Sequence, residues 1–324
     1  MLLSLLITYL WSAGSATAIS FNIGSVANEE SIERRSLSFA VKQWNDARTQ
    51  ETTIRFKVVN SGSKAHDIEE RVCDILQRKP VAIIVPSTSK YAANYVRRAC
   101  EQFRIPCVDI DGSNDVSDFG VNAGIPREAA GRALAAFVTK LQWANFVLFY
   151  QRSSDLAELG PLLELTSSWP HPGIVLRQLP KNNDLRAFLK HIRNSVHATR
   201  MVIHTKDISD TYRFLQHARI MRMTDAKYSY AVTNMDLSLL EEYVLNSTDF
   251  TCNITGLRLI NNYSFQRKAL MYAMLDAVNV IGEGLAKLLR SNFIPRPAAI
   301  LCDDQISWSH GNALLNEMSQ VIDQ

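Results

Sequence analysis

The sequence predicts an α/β protein built from two doubly wound lobes that are joined by several crossovers, with a cleft between them. Three observations carry this expectation. Residues 71–111 alternate helix, strand, loop, helix and strand, and their strand at 81–85 (VAIIV) is an unbroken apolar, β-branched run suited to burial on both faces. The same alternation recurs after residue 122 without clear sequence repetition. Finally, 324 residues, 47% hydrophobic and 21% charged, suffice for two lobes with separate cores.

The elements follow in order. Residues 19–24 (ISFNIG) read as a first strand, and 31–47 as a helix with Ile32, Leu37, Phe39, Ala40, Val41 and Trp44 at apolar positions. Residues 54–59 (IRFKVV) alternate apolar and charged side chains, as a strand near a sheet edge does. A helix over 66–78 leads to the 81–85 strand. Pro86 ends that strand, and Ser87, Thr88 and Ser89 suit the N-terminus of the next helix, 91–103. A strand begins at Ile105, and 119–122 cross into the second lobe. There, helices are expected at 126–142, 155–167, 184–196 and 211–221, alternating with strands at 146–150, 175–179, 201–204 and 228–232. Residues 269–289 form a long apolar helix and 312–318 a short amphipathic one.

The bulk properties exclude several roles. A net charge of +3, with no basic run interleaved with aromatics, gives no footprint for nucleic acid. Residues 1–10 are apolar and run into Ala16-Thr17-Ala18, the pattern of a secretory leader cleaved near residue 18; a buried N-terminal strand is the alternative. No other segment is read as reaching about 18 uninterrupted apolar residues, the length of a membrane helix. Three N-x-S/T acceptor sites, at Asn246, Asn253 and Asn262, agree with passage through a secretory pathway. The five cysteines (Cys73, Cys100, Cys107, Cys252, Cys302) include no C-x-x-C pair. At least one disulfide is expected, with at least one thiol left over, and Cys100 reads as an inert buried thiol.

No catalytic signature is present: no G-x-S-x-G, no H-E-x-x-H and no Walker loop. Gly282-x-Gly284 lies inside a helix, with Lys287 where a third glycine belongs. Asp109, Asp111, Asp115 and Asp118 follow a strand and read as a solvated loop, a calcium or acid/base site being the alternative. His66, His171, His191, His197, His204, His217 and His310 show no ligand spacing. Neither enzyme activity, a metal nor a cofactor is expected. Ligands of doubly wound sheets sit at the carboxyl ends of strands, which is where Ser87, Thr88 and Ser89 lie.

Several stretches occur together in the order of one family: VCDIL with VAIIVPSTS and ACEQFRIPCV, then LQWANFVLFY, RQLPKNND, YAVTNMDLSLLE, CNITGLRLI, MLDAVNVIGEGL and CDDQISWSHGNALLNEM. On these motifs the chain resembles the amino-terminal domain of ionotropic glutamate receptors, the kainate-type subunits above all. The resemblance implies the bilobal fold shared with periplasmic leucine/isoleucine/valine-binding proteins. It divides the chain into a signal peptide at 1–18, one lobe at 19–121 plus about 264–303, and another at 122–263 plus about 304–324. The glutamate-binding and channel domains are not among these residues.

It also implies a disulfide between Cys73 and Cys302 and places the family's sequon at Asn253. Val85 departs from the family's glycine before Pro-Ser, and Lys90 from its small residue. In the resembled family, first-lobe helices of two subunits pack together. The matching helices, 66–78 and 91–103, would present Tyr91, Tyr95, Val96 and Phe103 to another receptor subunit, or else turn them to the sheet. The alternative function is a clamshell for a small amino-acid ligand, with Ser87, Thr88 and Ser89 on its carboxylate and Asp207 and Asp236 near its ammonium group; helix capping is the bland role of those hydroxyls. The expected location is the extracellular side of a postsynaptic plasma membrane, or outside the cell if the chain stands alone.

Overall fold

In the computed structural model, residues 19–322 are described, apart from 29, 48–53, 61–66, 87–88, 113–116, 127, 168–172, 183, 258–267 and 304–305. The expected leader at 1–18, together with Ser87, Thr88, Asp115 and Asn262, therefore lies outside the described residues. The first sheet contains β1 (Ile19–Ser25), β2 (Ile54–Asn60), β3 (Pro80–Ile84), β4 (Cys107–Asp109) and β5 (Gly120–Asn122). Its order is β2-β1-β3-β4-β5 and every pairing is parallel. Strand β3 is buried along its whole length, which is why its sequence does not alternate. Strand β2, at the edge, buries Ile54 and Phe56 and exposes Arg55 and Lys57. The crossover helices are α1 (Ile32–Ala47), α2 (Ile68–Gln77) and α3 (Lys90–Phe103).

The second sheet repeats this order. Its strands are β6 (Asn145–Tyr150), β7 (Gly173–Gln178), β8 (Arg200–His204), β9 (Ser229–Val232) and β10 (Asn253–Gly256), arranged β10-β9-β8-β6-β7 and again all parallel. Successive side chains enter opposite cores. Val147, Phe149, Met201 and Ile203 face one layer, while Phe146, Leu148 and Val202 face the other. The helices here are α4 (Glu128–Lys140), α5 (Gly160–Ser167), α6 (Arg186–His191), α7 (Ile208–Ile220) and α8 (Glu241–Leu245). Two segments expected as single helices are composite. Residues Ser153–Leu159 form a 3₁₀ turn ahead of α5, and a π-turn at Ile192–Val196 closes α6.

The chain returns to the first lobe in α9 (Ala269–Arg290), whose buried side chains include Met274, Val278, Ile281 and Leu285. By length and mean hydropathy (22 residues, 1.3) this helix could cross a membrane, although Asp276, Asn279, Glu283 and Lys287 interrupt its apolar run. It is instead packed between α1 and α10 (Gly311–Ile322). Glycine permits both contacts. A Cβ on Gly282 would lie 2.1 Å from the Trp44 ring, and one on Gly284 would lie 2.9 Å from Met318.

Residues from about 304 were expected in the second lobe, and the structure corrects this. Leu314 and Met318 are wholly buried in the first-lobe core, and the Trp308 amide donates to the Phe103 carbonyl at 2.8 Å. Apolar surface left along α9 draws α10 back onto it. The described chain thus passes between lobes twice, after β5 and before α9.

Cys73 on α2 is bonded to Cys302, with Cα atoms 5.5 Å apart. Cys100 is not a thiol but is joined to Cys107, Cα atoms 6.0 Å apart. Arg104 ends α3 in the left-handed conformation (φ 51°), and this reversal brings the start of β4 back beside the last turn of the helix. Cys252 is free, and burial pushes its thiol up to about 11.

Candidate functional site: the interlobe cleft

The carboxyl ends of both sheets point into one cleft, as doubly wound lobes require of any ligand site. The cleft holds a cavity of about 370 Å³. From the first lobe come Ile110 and Asp111 after β4, Ile125 and Pro126 on the crossing segment, and Ala269, Leu270 and Ala273 at the start of α9. The second lobe supplies Glu158, His204, Lys206, Thr233, Asn234 and Asp236.

The polar second-lobe wall is largely satisfied by itself. Lys206 places Nζ 2.8 Å from Glu158 Oε1 and 3.8 Å from Asp155 Oδ1. His204, at the end of β8, sits with Nε2 3.1 Å from the Asp155 carbonyl and Nδ1 2.8 Å from the Thr233 hydroxyl. A carbonyl can only accept, so Nε2 carries a proton, and the one Thr233 hydroxyl proton lies between Nδ1 and the Ile203 carbonyl at 3.3 Å. Asn234 donates to the carbonyls of Thr205 and Lys206 at 3.0 and 3.1 Å, and accepts from the Asp236 amide at 2.9 Å. Asp236 in turn accepts from the Ala269 amide at 2.6 Å and so caps α9 across the cleft. Burial raises the Asp236 carboxyl above its usual range, against the opposing Ala269 amide and the Lys268 charge.

Burial also pushes the His204 imidazole below its usual 6.5, against the carboxylates of Glu158 and Asp155. Its sign fixes a pH dependence. Unfolded chain takes up a proton near pH 6.5 while the folded site still resists it, so stability falls as pH drops through about 6.5. Between pH 7.5 and 5.5 the melting midpoint should decline, and His204→Gln should flatten the part of that decline owed to the imidazole. An unchanged slope in the variant would remove His204 as its source.

Of the residues anticipated for an amino-acid ligand, Ser89 is engaged elsewhere: its hydroxyl accepts from the Ala92 amide at 3.3 Å as the N-cap of α3. Asp207 caps α7 by accepting from the Ser209 amide at 2.9 Å, a bond that holds its carboxyl below the usual range. It does not line the cavity; Asp236 does. Lys206, Glu158 and Thr233 were missed. The legible signal for Lys206 was its place two residues after the β8 strand, where its neighbour Asp207 was chosen instead.

The anticipated interface residues divide. Val96 and Phe103 are buried against the first sheet, the second of the two placements expected for them. Helical periodicity turns them inward with Ala93 and Cys100. Tyr91 is 70% exposed and Tyr95 is half-buried beside α2, where burial and the charges of Glu69 and Asp67 raise its phenol. Asp109, anticipated in a solvated loop, is also corrected: it is buried and paired with Arg97. Asn246 and Asn253 are both exposed. Among the described residues no cluster of histidine, cysteine and carboxylate could hold a metal.

A profile of the receptor family ligand binding region matches residues 32–322. Among curated proteins, the human "Glutamate receptor ionotropic, kainate 5" is 24% identical over 359 aligned positions, covering 99% of this chain and 36% of that receptor. Human kainate 4 is 25% identical over 287 positions, 79% of the chain and 29% of the receptor. A Caenorhabditis elegans receptor, kainate glr-3, is 27% identical over 189 positions, 57% of the chain and 22% of the receptor. The chain therefore spans about a third or less of the length of these relatives. The matches bear out the resemblance read from the motifs.

Proposed function

The chain belongs to the receptor family ligand binding region, and from that membership we propose that it is the extracellular amino-terminal domain of a kainate-type ionotropic glutamate receptor, working in subunit dimerisation and assembly and not in catalysis. The observation that carries this reading is Tyr91. Its ring stands 70% exposed on α3, one turn from the half-buried Tyr95, which lies beside α2. The cleft, by contrast, spends most of its polar groups on itself. A closed dimer would join the two copies of this α2/α3 face, or this face and that of another receptor subunit.

Sedimentation equilibrium of the secreted, glycosylated chain tests the reading. The chain should dimerise at micromolar concentration or tighter, and Tyr91→Asp should weaken the dimer by about 10-fold or more, roughly 1.4 kcal/mol. A monomer, or a dimer indifferent to Tyr91→Asp, would overturn it.

The second reading, a clamshell for a small amino acid, is favoured by the cavity of about 370 Å³ at the strand ends of both lobes. Lys206 would meet the ligand's carboxylate and Asp111 or Asp236 its ammonium group. A monomer whose thermal midpoint rises with one amino acid, and not with others, would select this reading.

A further inference from the structure

We propose that the basic end of the second lobe, where α6, α7 and the start of β8 meet, is a binding surface for a sulfated polysaccharide. Between Leu185 and Arg200 the sequence carries Arg186, Lys190, Arg193 and Arg200, with His191 and His197, and no carboxylate. Four cations thus gather in one short stretch of a chain whose net charge is only +3. The fold concentrates them further. Leu185, Leu189 and Ile192 turn into the second-lobe core, which leaves Lys190 and His191 on the exposed side of α6. His197 reverses the chain in the left-handed conformation (φ 55°) and returns it to Arg200, exposed at the first position of β8. Arg193 donates from Nη1 to the Met221 carbonyl at 2.7 Å, and this brings the exposed Arg222, just past α7, beside the end of α6. The surface lies at the amino end of β8, away from the cleft that His204 enters at the other end, and on the opposite lobe from Tyr91.

Local structure accounts for only part of this charge. Helix carboxyl ends favour cations, and Arg193 is used in that way. Arg186 is held by Asp184, with Nε 2.9 Å and Nη2 2.7 Å from its oxygens. Lys190, Arg200 and Arg222 make no ion pair or side-chain hydrogen bond among the described residues. Their mutual repulsion opposes folding, and a polyanion would relieve it while releasing its own counterions. Which polyanion follows from the rest of the surface. The one aromatic ring of residues 186–200, Phe188, packs on Phe149 and cannot stack on a nucleic-acid base. Anionic lipids belong to the cytoplasmic leaflet, across the membrane from the placement proposed above. Sulfate groups of an extracellular glycan satisfy both conditions, and basic clusters of this kind suit them.

The proposal rests on that extracellular placement, and binding of the purified, secreted chain to immobilised heparin tests it. The chain should bind at about 0.15 M salt, and desulfated heparin, polyglutamate and phosphatidylserine vesicles should bind at least about 10-fold more weakly. Lys190→Glu with Arg200→Glu and Arg222→Glu should weaken heparin binding by about 10-fold or more. Arg35→Glu with Lys42→Glu and Lys57→Glu changes the net charge equally, at exposed positions of the first lobe, and should weaken it by less than about 2-fold. If the first triple variant does not fold, its Gln counterpart replaces it, with a smaller loss in the same direction. Equal losses in the two triples would overturn the proposal, as would stronger binding to polyglutamate or to the vesicles. A secreted chain that ignores heparin would overturn it and leave the extracellular placement intact, whereas a chain retained inside cells would overturn both.

Discussion

Replacing Cys73 and Cys302 together by serine should destabilise the fold by about 5 kcal/mol, on a model in which a disulfide acts by restricting the unfolded chain. The bond joins residues 229 apart in sequence, so the loop it closes spans most of the described chain. Domain stabilities commonly total about 5–15 kcal/mol, which makes this one bond comparable with the whole margin. Its position adds to the effect. Cys73 sits on α2, between the first sheet and solvent, and Cys302 lies in the segment connecting α9 to α10. Without the bond, that segment keeps the Ile300 amide on the Leu76 carbonyl at 3.3 Å and the buried Ile300 side chain in the first-lobe core. Cys100→Ser with Cys107→Ser is the internal comparison. That bond spans only 7 residues, so the same model gives about 2.5 kcal/mol. Urea unfolding of the wild type and both double variants, monitored separately by first- and second-lobe probes, makes the measurement. Equal losses in the two variants would contradict the loop-length account, and no loss in the first would deny the Cys73–Cys302 bond its role.

Most of the fold was legible because its strands are short apolar runs between amphipathic helices, and burial on both faces of a parallel sheet leaves few alternatives for such a pattern. The two sheets share one order, yet the sequence shows no repetition, because the pattern is repeated and not the residues. Three errors concern pairings that the apolar pattern does not state. The place of α10 depends on a surface offered by α9, and nothing local to 311–322 states it. The Cys100–Cys107 bond depends on the left-handed turn at Arg104, a conformation that arginine does not advertise. Asp109 read as part of a solvated loop because its partner, Arg97, lies twelve residues back on α3. Within the cleft, the strand-end rule located the wall, but which polar groups remain free was decided by pairings such as Asp236 with Ala269. Tyr91 and Phe103, both aromatic on one helix, were separable only once the helix phase was fixed against the sheet.

Asp109→Asn should destabilise the protein by about 3–5 kcal/mol, because it removes the buried carboxylate that faces the Arg97 charge. The pair is nearly dry: side-chain exposure is 10% for the guanidinium and 1% for the carboxylate. Arg97 Nε lies 3.1 and 3.2 Å from the two carboxylate oxygens and Nη2 lies 2.5 Å from Oδ1, a forked geometry that lysine could not copy. Desolvating both charges costs much of what their attraction returns, so the pair as a whole contributes little, although breaking it is expensive. Arg97→Met with Asp109→Leu should therefore recover the loss, ending between wild-type stability and about 1–4 kcal/mol above it. The double-mutant cycle in urea tests this, since additive single losses would mean that the two groups act independently. The pair also has a mechanical place. It ties α3, which carries Tyr91, to the end of β4, from which Ile110 and Asp111 enter the cleft. If that tie transmits between the two faces, Asp109→Asn should weaken the Tyr91-dependent dimer even at temperatures where the variant is fully folded, while the apolar pair should restore it. A dimer of wild-type strength in folded Asp109→Asn would confine the ion pair to holding the first lobe together.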